Sequence, residues 1–435
     1  MSNSSVPFDQ LPPLPTYTLT PKSPVIPFIP DNILTLLLPV VAYWVVSMFF
    51  HWIDVNDYFS QYRLHTPAEV LKRNRVTRWD VVRDVILQQA IQTAVGLAIG
   101  YWEPPDCSGK EDYDIAVWAR RIRVAQMAIP RILSIVGVDS VGLAGNLSSY
   151  PMLAGALNGG QYPSLTQSIV SEAGDSMVTP AFARWELAVA AILYWYLVPA
   201  LQFTWGVMFV DTWQYFLHRA MHINKWLYNK FHARHHRLYV PYAFGALYNH
   251  PFEGFLLDTA GTGLAFITAG MTVRQGMWFF TCSTIKTVDD HCGYAFPWDP
   301  LQHVTSNNAA YHDIHHQSWG IKNNFSQPFF TFWDRFLNTR WTGDDLELRY
   351  ERSRLAAQEK VDREAAEKEG RDTARDPLLE SSESDDAGVC PKEEDDSGTR
   401  NLFPRSVRRK TSTFSPQADG LKGLSHRVTG SIRQK

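Results

Sequence analysis

The chain has 435 residues, 45% of them hydrophobic and 13% aromatic, enough to bury a large core and to hold more than one domain. A formal net charge of -3 excludes the basic excess of a nucleic-acid binder. The four cysteines, Cys107, Cys282, Cys292 and Cys390, form neither a CxxC pair nor a disulfide framework, and read as free thiols or small buried residues.

Residues 1–32 form an arm rich in proline (QLPPLPTYTLTPKSPVIPFIPD), which removes backbone donors and favours extended chain. The arm has neither the basic start nor the apolar run of a signal peptide. Residues 33–102 then carry membrane helices. Ile33 to Ile53 is free of formal charge and long enough to cross a bilayer. A second span is expected from Val85 to Trp102, interrupted by glutamines. Lys72, Arg73, Arg75, Arg78 and Arg83 between them place that loop in the cytoplasm and the N-terminus in the lumen.

Residues 103–185 are an insert richer in Gly and Ser, with one amphipathic helix around ARRIRVAQMAIPRIL. Leu187 to Val210 is a third uncharged span, with a kink expected at Pro199, and it leaves the membrane on the cytoplasmic side. It opens the domain 186–345. Within that domain Phe255 to Lys286 is apolar apart from Asp258 and Arg274, which predicts two short membrane helices with Arg274 near their turn. Such a hairpin returns the chain to the side it left, and Asp258 should face the protein interior. Residues 346–435 mix both charges with few apolar residues, so a disordered tail is expected after one exposed helix, with Ser412 and the serines from Ser381 to Ser384 as phosphorylation candidates.

Of the fourteen histidines, eleven fall between Asp211 and Trp341. They form three boxes: HRAMH (His218, His222), HARHH (His232, His235, His236) and HDIHH (His312, His315, His316). His250 in YNHPFE, His291 in VDDHCGY and His303 in DPLQHV lie between the second and third. Side chains at i, i+3 and i+4 of a helix share one face and can converge on one point. Neutral imidazole suits iron, zinc or copper, and eight box histidines exceed what one ion takes, so a dinuclear site is expected. His51, His65 and His426 stand alone and carry no signal.

The segments DTWQYFLHRAMH, FHARHHRLYVPYAFGALYNHPFEG, STIKTVDDHCGY and NNAAYHDIHHQSWGIKNNFSQPFFTFWD resemble the integral-membrane fatty acid hydroxylase superfamily, and within it the sphinganine C4-hydroxylases of fungi. The resemblance covers residues 205 to 340. It implies a mainly α fold, an integral-membrane helical bundle with a cytosolic histidine-box cap holding two metals, in the endoplasmic-reticulum membrane. It implies iron ligation by His218, His222, His232, His235, His236, His312, His315 and His316, with His291 and His250 as further ligands and His303 outside the site. The implied reaction is hydroxylation of carbon 4 of sphinganine or dihydroceramide, with O2 as co-substrate and electrons from NADPH through cytochrome b5 and its reductase.

Asp289 and Asp290 are candidates for orienting a ligating histidine, with the substrate ammonium as their other partner. Asn324 and Gln327 either support the last helix or touch the substrate. Two other functions are weighed: a sterol C4-methyl oxidase or sterol desaturase of the same superfamily, and a non-catalytic zinc protein. The second fits poorly, because a structural zinc site closes with about four ligands.

Overall fold

The computed structural model describes residues 11–102, 105–170 and 176–375. Its described part is mostly helical, with two small two-stranded sheets. The phosphorylation candidates, Cys390, His426 and the tail beyond residue 375 lie outside the described residues. Cys107, Cys282 and Cys292 are unpaired.

Strand β1 (Thr20–Pro21) pairs with β2 (Cys107–Ser108), which ties the proline-rich arm to the insert. Helix α1 (Asp31–Val55) starts after Pro30 with an acid in its first turn, where the helix dipole favours one. At ~1.5 Å per residue it is about 38 Å long, enough for a hydrocarbon core of about 30 Å. Val41, Val45, Phe49 and Trp52 are exposed on its outer face, as lipid contact requires, while Tyr43, Phe50 and Ile53 are buried inward.

A capping box of Thr66 and Glu69 starts the short α2 (Pro67–Arg73), and Thr77 caps α3 (Arg78–Gly100). The expected second span falls in α3, but α3 is not among the helices apolar enough to cross a membrane. Its glutamines face inward instead: Gln88 and Gln89 are buried, and Gln89 accepts a hydrogen bond from Trp44 of α1 at 2.9 Å. Gly96 lets α1 and α3 meet closely, since a Cβ there would fall 2.3 Å from Leu36.

The insert is folded. Helix α4 (Glu111–Gln126) carries Arg123 into a buried bidentate pair with Glu186, which Gln126 also reaches at 2.7 Å. Strands β3 (Thr166–Val170) and β4 (Ser176–Pro180) form a hairpin with Thr166 opposite Pro180. Helix α5 (Arg184–Ile223) is a 40-residue helix with a stretch apolar enough to cross a membrane. The local irregularity is a π-helical turn over Leu193–Leu197, immediately before the kink expected at Pro199. At about 60 Å it is twice the bilayer core. Its far end carries the first histidine box.

A π-helical turn, Phe255–Ala260, leads into α6 (Gly261–Ala269), and Gly270 at φ 62° turns the chain into α7 (Val273–Asp290). This is the expected hairpin, with Arg274 at its turn, though neither α6 nor α7 is among the described helices long and apolar enough to cross a membrane. Arg274 pairs with Asp31 at 2.8 Å, and Gln202 donates to the Gly270 carbonyl at 2.6 Å, so the turn lies level with the start of α1 and the middle of α5. Helix α7 then runs back along α1 to the histidine side. The third box lies on α8 (Ala309–His316), capped by Asn308. Helix α9 (Leu346–Arg375) is not simply an exposed tail helix, because Leu346, Tyr350 and Ala357 are buried beneath it.

Candidate metal centre

The three boxes do not each make one cluster. Imidazole nitrogens of His218, His222, His232, His236 and His315 form one group, and those of His235, His291, His312 and His316 a second, all atoms of each group lying within 4.8 Å of one another. The i,i+4 pair of every box stays together, while the i+3 histidine of the second and third boxes crosses to the other group. In α8 the adjacent His315 and His316 point about 100° apart, and His312 goes with His316, one turn on. The second box departs from the expected α-helix: His232–Arg237 is a 3-10 turn, and within it His235 joins the other group.

Contact distances match shared ligation. The Nε2 atoms of His218 and His232 lie 3.1 Å apart, those of His232 and His236 3.0 Å, and those of His222 and His236 3.2 Å. In the second group His312 Nε2 is 3.1 Å from the Nε2 atoms of both His291 and His316. Two nitrogens each about 2.1 Å from one ion, roughly at right angles, sit about 3 Å apart.

The other ring nitrogen of most of these histidines is fixed from outside. Nδ1 of His218 donates to the carbonyl of Phe325 (2.9 Å), His235 to Tyr248 (3.1 Å), His291 to Thr287 (2.8 Å), His315 to Asn323 (2.7 Å) and His316 to Leu238 (2.9 Å). A carbonyl can only accept, so each Nδ1 carries the proton and each Nε2 presents a lone pair inward. His232 Nδ1 donates instead to the Glu253 carboxylate at 2.5 Å. The buried Nε2 of His315 has no hydrogen-bond partner among the described residues, although its ring lies 4.5 Å from that of His218. Burial holds His232, His236, His312, His315 and His316 well below the usual imidazole range, and pushes His235 to about 4 and His291 to about 3. Nine neutral imidazoles with lone pairs turned toward two points fit two borderline transition-metal ions, and hard cations poorly.

His250, expected as a tenth ligand, joins neither group. It caps the short helix Pro251–Gly254, its Nδ1 accepting the N–H of Phe252 at 3.2 Å, which turns the ring away. His303 is also outside, its Nε2 donating to the Pro297 carbonyl at 3.0 Å.

Asp289 and Asp290 do not orient a histidine. Asp290 pairs with Lys286 and accepts from Asn307 at 2.9 Å, and Asp289 accepts from Gln302 at 3.2 Å. That ion pair on successive turns of α7 uses up the charge expected to face a ligand or a substrate ammonium. Asn324 makes no contact with the histidines through its side chain, which bonds Tyr311 and Trp341. Its left-handed backbone, φ 55°, turns the flanking Asn323 and Phe325 carbonyls toward His315 and His218. Asp334 holds that loop by accepting the N–H groups of Phe325 and Ser326.

Two supporting residues carry no signal of spacing. Glu253 lies within the HPFE stretch already marked by its histidine. His65, isolated in sequence, is 3% exposed and bonds Glu69 at 3.0 Å and Asp313, inside the third box, at 2.9 Å.

A long apolar pocket, enclosing about 1340 Å3 with its open mouth, runs between α1, α3, α6 and α7 past Leu36, Val40, Ile99 and Phe266. A small polar chamber lies against His218, His232, His235, His291 and His312. Gln214, Asp258, Thr287 and Pro328 line both, so the two spaces meet at these residues.

The model of the fatty acid hydroxylase family matches residues 203–339. Sphingolipid C4-hydroxylase SUR2 of Saccharomyces cerevisiae is 44% identical over 331 residues, 76% of this chain and 77% of the yeast protein. Sphingolipid C4-hydroxylase sur2 of Schizosaccharomyces pombe is 42% identical, over 70% of this chain and 87% of that protein. A protein of Oryza sativa named very-long-chain aldehyde decarbonylase GL1-9 is 35% identical, over 72% of this chain and 90% of its own length. Methylsterol monooxygenases are similar over 30% to 33% of the chain alone. No solved structure matches. With close to half of its residues shared over most of its length, the chain belongs to the fatty acid hydroxylase family and groups there with the sphingolipid C4-hydroxylases.

Proposed function

We propose that this chain hydroxylates carbon 4 of a long-chain sphingoid base, sphinganine or its N-acyl form, giving the phytosphingosine-type product. The observation that carries the reading is the junction of the apolar pocket with a chamber that touches both histidine groups. A saturated chain and a centre able to attack an unactivated C–H bond are thereby brought to one place.

The ligands are His218, His222, His232, His236 and His315 for one iron and His235, His291, His312 and His316 for the other. Two irons held there supply activation of O2 and insertion of one oxygen atom into a C–H bond, with electrons from NADPH through cytochrome b5 and its reductase. The residues of the chain position and exclude. Leu36, Val40 and Phe266 give the alkyl tail an apolar wall. The buried carbonyls of Phe325, Tyr248, Thr287, Asn323 and Leu238 keep the imidazoles in one tautomer, and Glu253 holds His232. An oxidant of this strength attacks whatever lies nearest, so such positioning decides which carbon reacts.

The basic segment Lys72 to Arg83 supports a cytoplasmic cap in the endoplasmic-reticulum membrane. It lies on the histidine side: the Arg75 N–H bonds the carbonyl of Arg237, beside the second box, and Arg73 reaches Gln317, after the third. The purified full-length protein, loaded with iron, should bind two irons per chain and convert sphinganine to its 4-hydroxy form when reduced under O2. Turnover of a 4-methylsterol or a very-long-chain aldehyde with sphinganine untouched would replace this reading by one of the activities named for its other relatives.

A further inference from the structure

The pocket and the chamber meet at one carboxylate. Asp258 lines both spaces and sits in the apolar stretch FLLDTA, where a charged group is expensive in a membrane helix and persists for a use. Its side-chain hydrogen bonds are long ones from neutral amides, Gln214 Nε2 at 3.3 Å and Asn249 Nδ2 at 3.5 Å. The buried acids near it are engaged, Glu253 by His232 and Asp290 by Lys286. Asp258 has no cationic partner among the described residues.

A second group points the same way. Glu253 is 1% exposed and lines the chamber, and its Oε2 has no hydrogen-bond partner among the described residues. Glu253, Asp258 and Asp290 line one enclosed space, and of the three Asp258 alone has neither a histidine nor a lysine partner among the described residues. Asn249 also bonds His235, so Asp258 is one side chain removed from the second group. A carboxylate without a cationic partner at the inner end of an apolar pocket suits a long-chain primary ammonium.

We infer that Asp258 binds the protonated amine of the long-chain base and so sets which carbon meets the metal centre, an assignment that rests on the C4-hydroxylase reading above. In sphinganine the amine is on carbon 2 and the reacting carbon is two further along. An ammonium held at the mouth of the chamber leaves carbon 4 inside it, facing the Nε2 atoms, and the remaining chain returns along the apolar pocket. Gln214 and Thr287, also at the junction, are placed to hydrogen-bond the two hydroxyls. An N-acylated base brings a neutral amide to the same carboxylate and leaves it unpaired, which disfavours that substrate.

The test compares sphinganine with N-acetylsphinganine, which has the same chain without the charge, in kcat/KM measured on the purified iron-loaded protein. The wild type should prefer the free base by about 30-fold or more, the scale of a lost buried charge pair. In Asp258→Asn the KM for sphinganine should rise about 30-fold, while kcat/KM for the neutral amide changes less than about threefold and iron content is unchanged. Asp258→Glu should restore part of the free-base preference. Equal use of both lipids by the wild type overturns the inference, and this comparison decides alone where the variants do not accumulate. So does an equal loss on both lipids in Asp258→Asn with iron retained. A wild type that hydroxylates neither lipid overturns the C4-hydroxylase reading itself and the inference with it.

Discussion

The hydroxyl of Tyr350, in the second turn of α9, donates to the carboxylate of Asp313, which stands between His312 and His315 in α8. The same carboxylate takes His65 at 2.9 Å, and His65 reaches Glu69 at 3.0 Å. A buried polar chain from α9 through α8 to α2 thus braces the third histidine box on the side away from the metals. Trp319 and Trp341 pack beside Tyr350 and Ile314 to close it from solvent.

Truncation should therefore divide at α9. A chain ending after Arg375 should keep full turnover. One ending after Asp344 should lose it, because Leu346 and Tyr350 go with the cut. Tyr350→Phe leaves a buried carboxylate short of one donor and should destabilise the protein by about 1–3 kcal/mol. Thermal unfolding in detergent and turnover in membranes measure the two effects.

Removing one histidine from each group should separate ligands from bystanders. His315→Ala and His235→Ala should each lower bound iron and cut turnover by more than about 100-fold, with the protein still in the membrane. His250→Ala should leave iron content intact and turnover within about threefold, at a stability cost near ~1 kcal/mol for the lost helix cap. Iron analysis beside turnover on the three purified variants is the check. Loss of iron in His250→Ala would contradict the nine-ligand set.

Glu253→Ala should behave as a loss of support for a ligand. With His232 Nδ1 left unpaired in a buried site, iron affinity or activity should fall about 10- to 100-fold. Glu253→Gln keeps an acceptor oxygen and should lie between the wild type and Glu253→Ala. Iron titration of the metal-depleted protein distinguishes them.

The His65 brace should show in the dependence of stability on pH. Burial alone would lower the His65 pKa, but the Asp313 carboxylate and its hydrogen bond, with Glu69, raise it to about 9. Burial likewise works against Glu69, yet His65 beside it brings its carboxyl down to about 2. A raised imidazole stabilises the fold fully below its unfolded value of about 6.5, and that contribution is lost as pH rises through about 9. A depressed carboxyl stabilises above its unfolded value of about 4.3, and that contribution is lost as pH falls through about 2. The melting temperature should accordingly drop between pH 7 and 9.5, by less in His65→Gln. An equal drop in the variant would remove His65 as the cause.

Local sequence carried the metal centre further than its surroundings. Histidines at i and i+4 report their own convergence, and the apolar run broken at Arg274 marked its hairpin, because both patterns act within one or two turns. The split of each trio between two groups was not visible, since the spacing within a box does not say which of two points each ring meets. The supports were hidden by sequence distance: His65 lies 248 positions from Asp313, and Glu253 stands 21 from His232. Asp289 and Asp290, adjacent to His291, looked better placed than either. Lys286 one turn earlier on α7 pairs with Asp290, and a local ion pair forms at no loop-closure cost. The glutamines of α3 weakened a membrane span, and two of them, Gln89 and Gln92, line the pocket.

The central claim is tested most directly by profiling long-chain bases, by mass spectrometry, in cells lacking their own C4-hydroxylase, with and without this chain. The account expects 4-hydroxysphinganine to appear with the wild type and to be absent with His315→Ala at equal protein level. Unchanged sphingoid bases with the iron-loaded protein present in the membrane would contradict it.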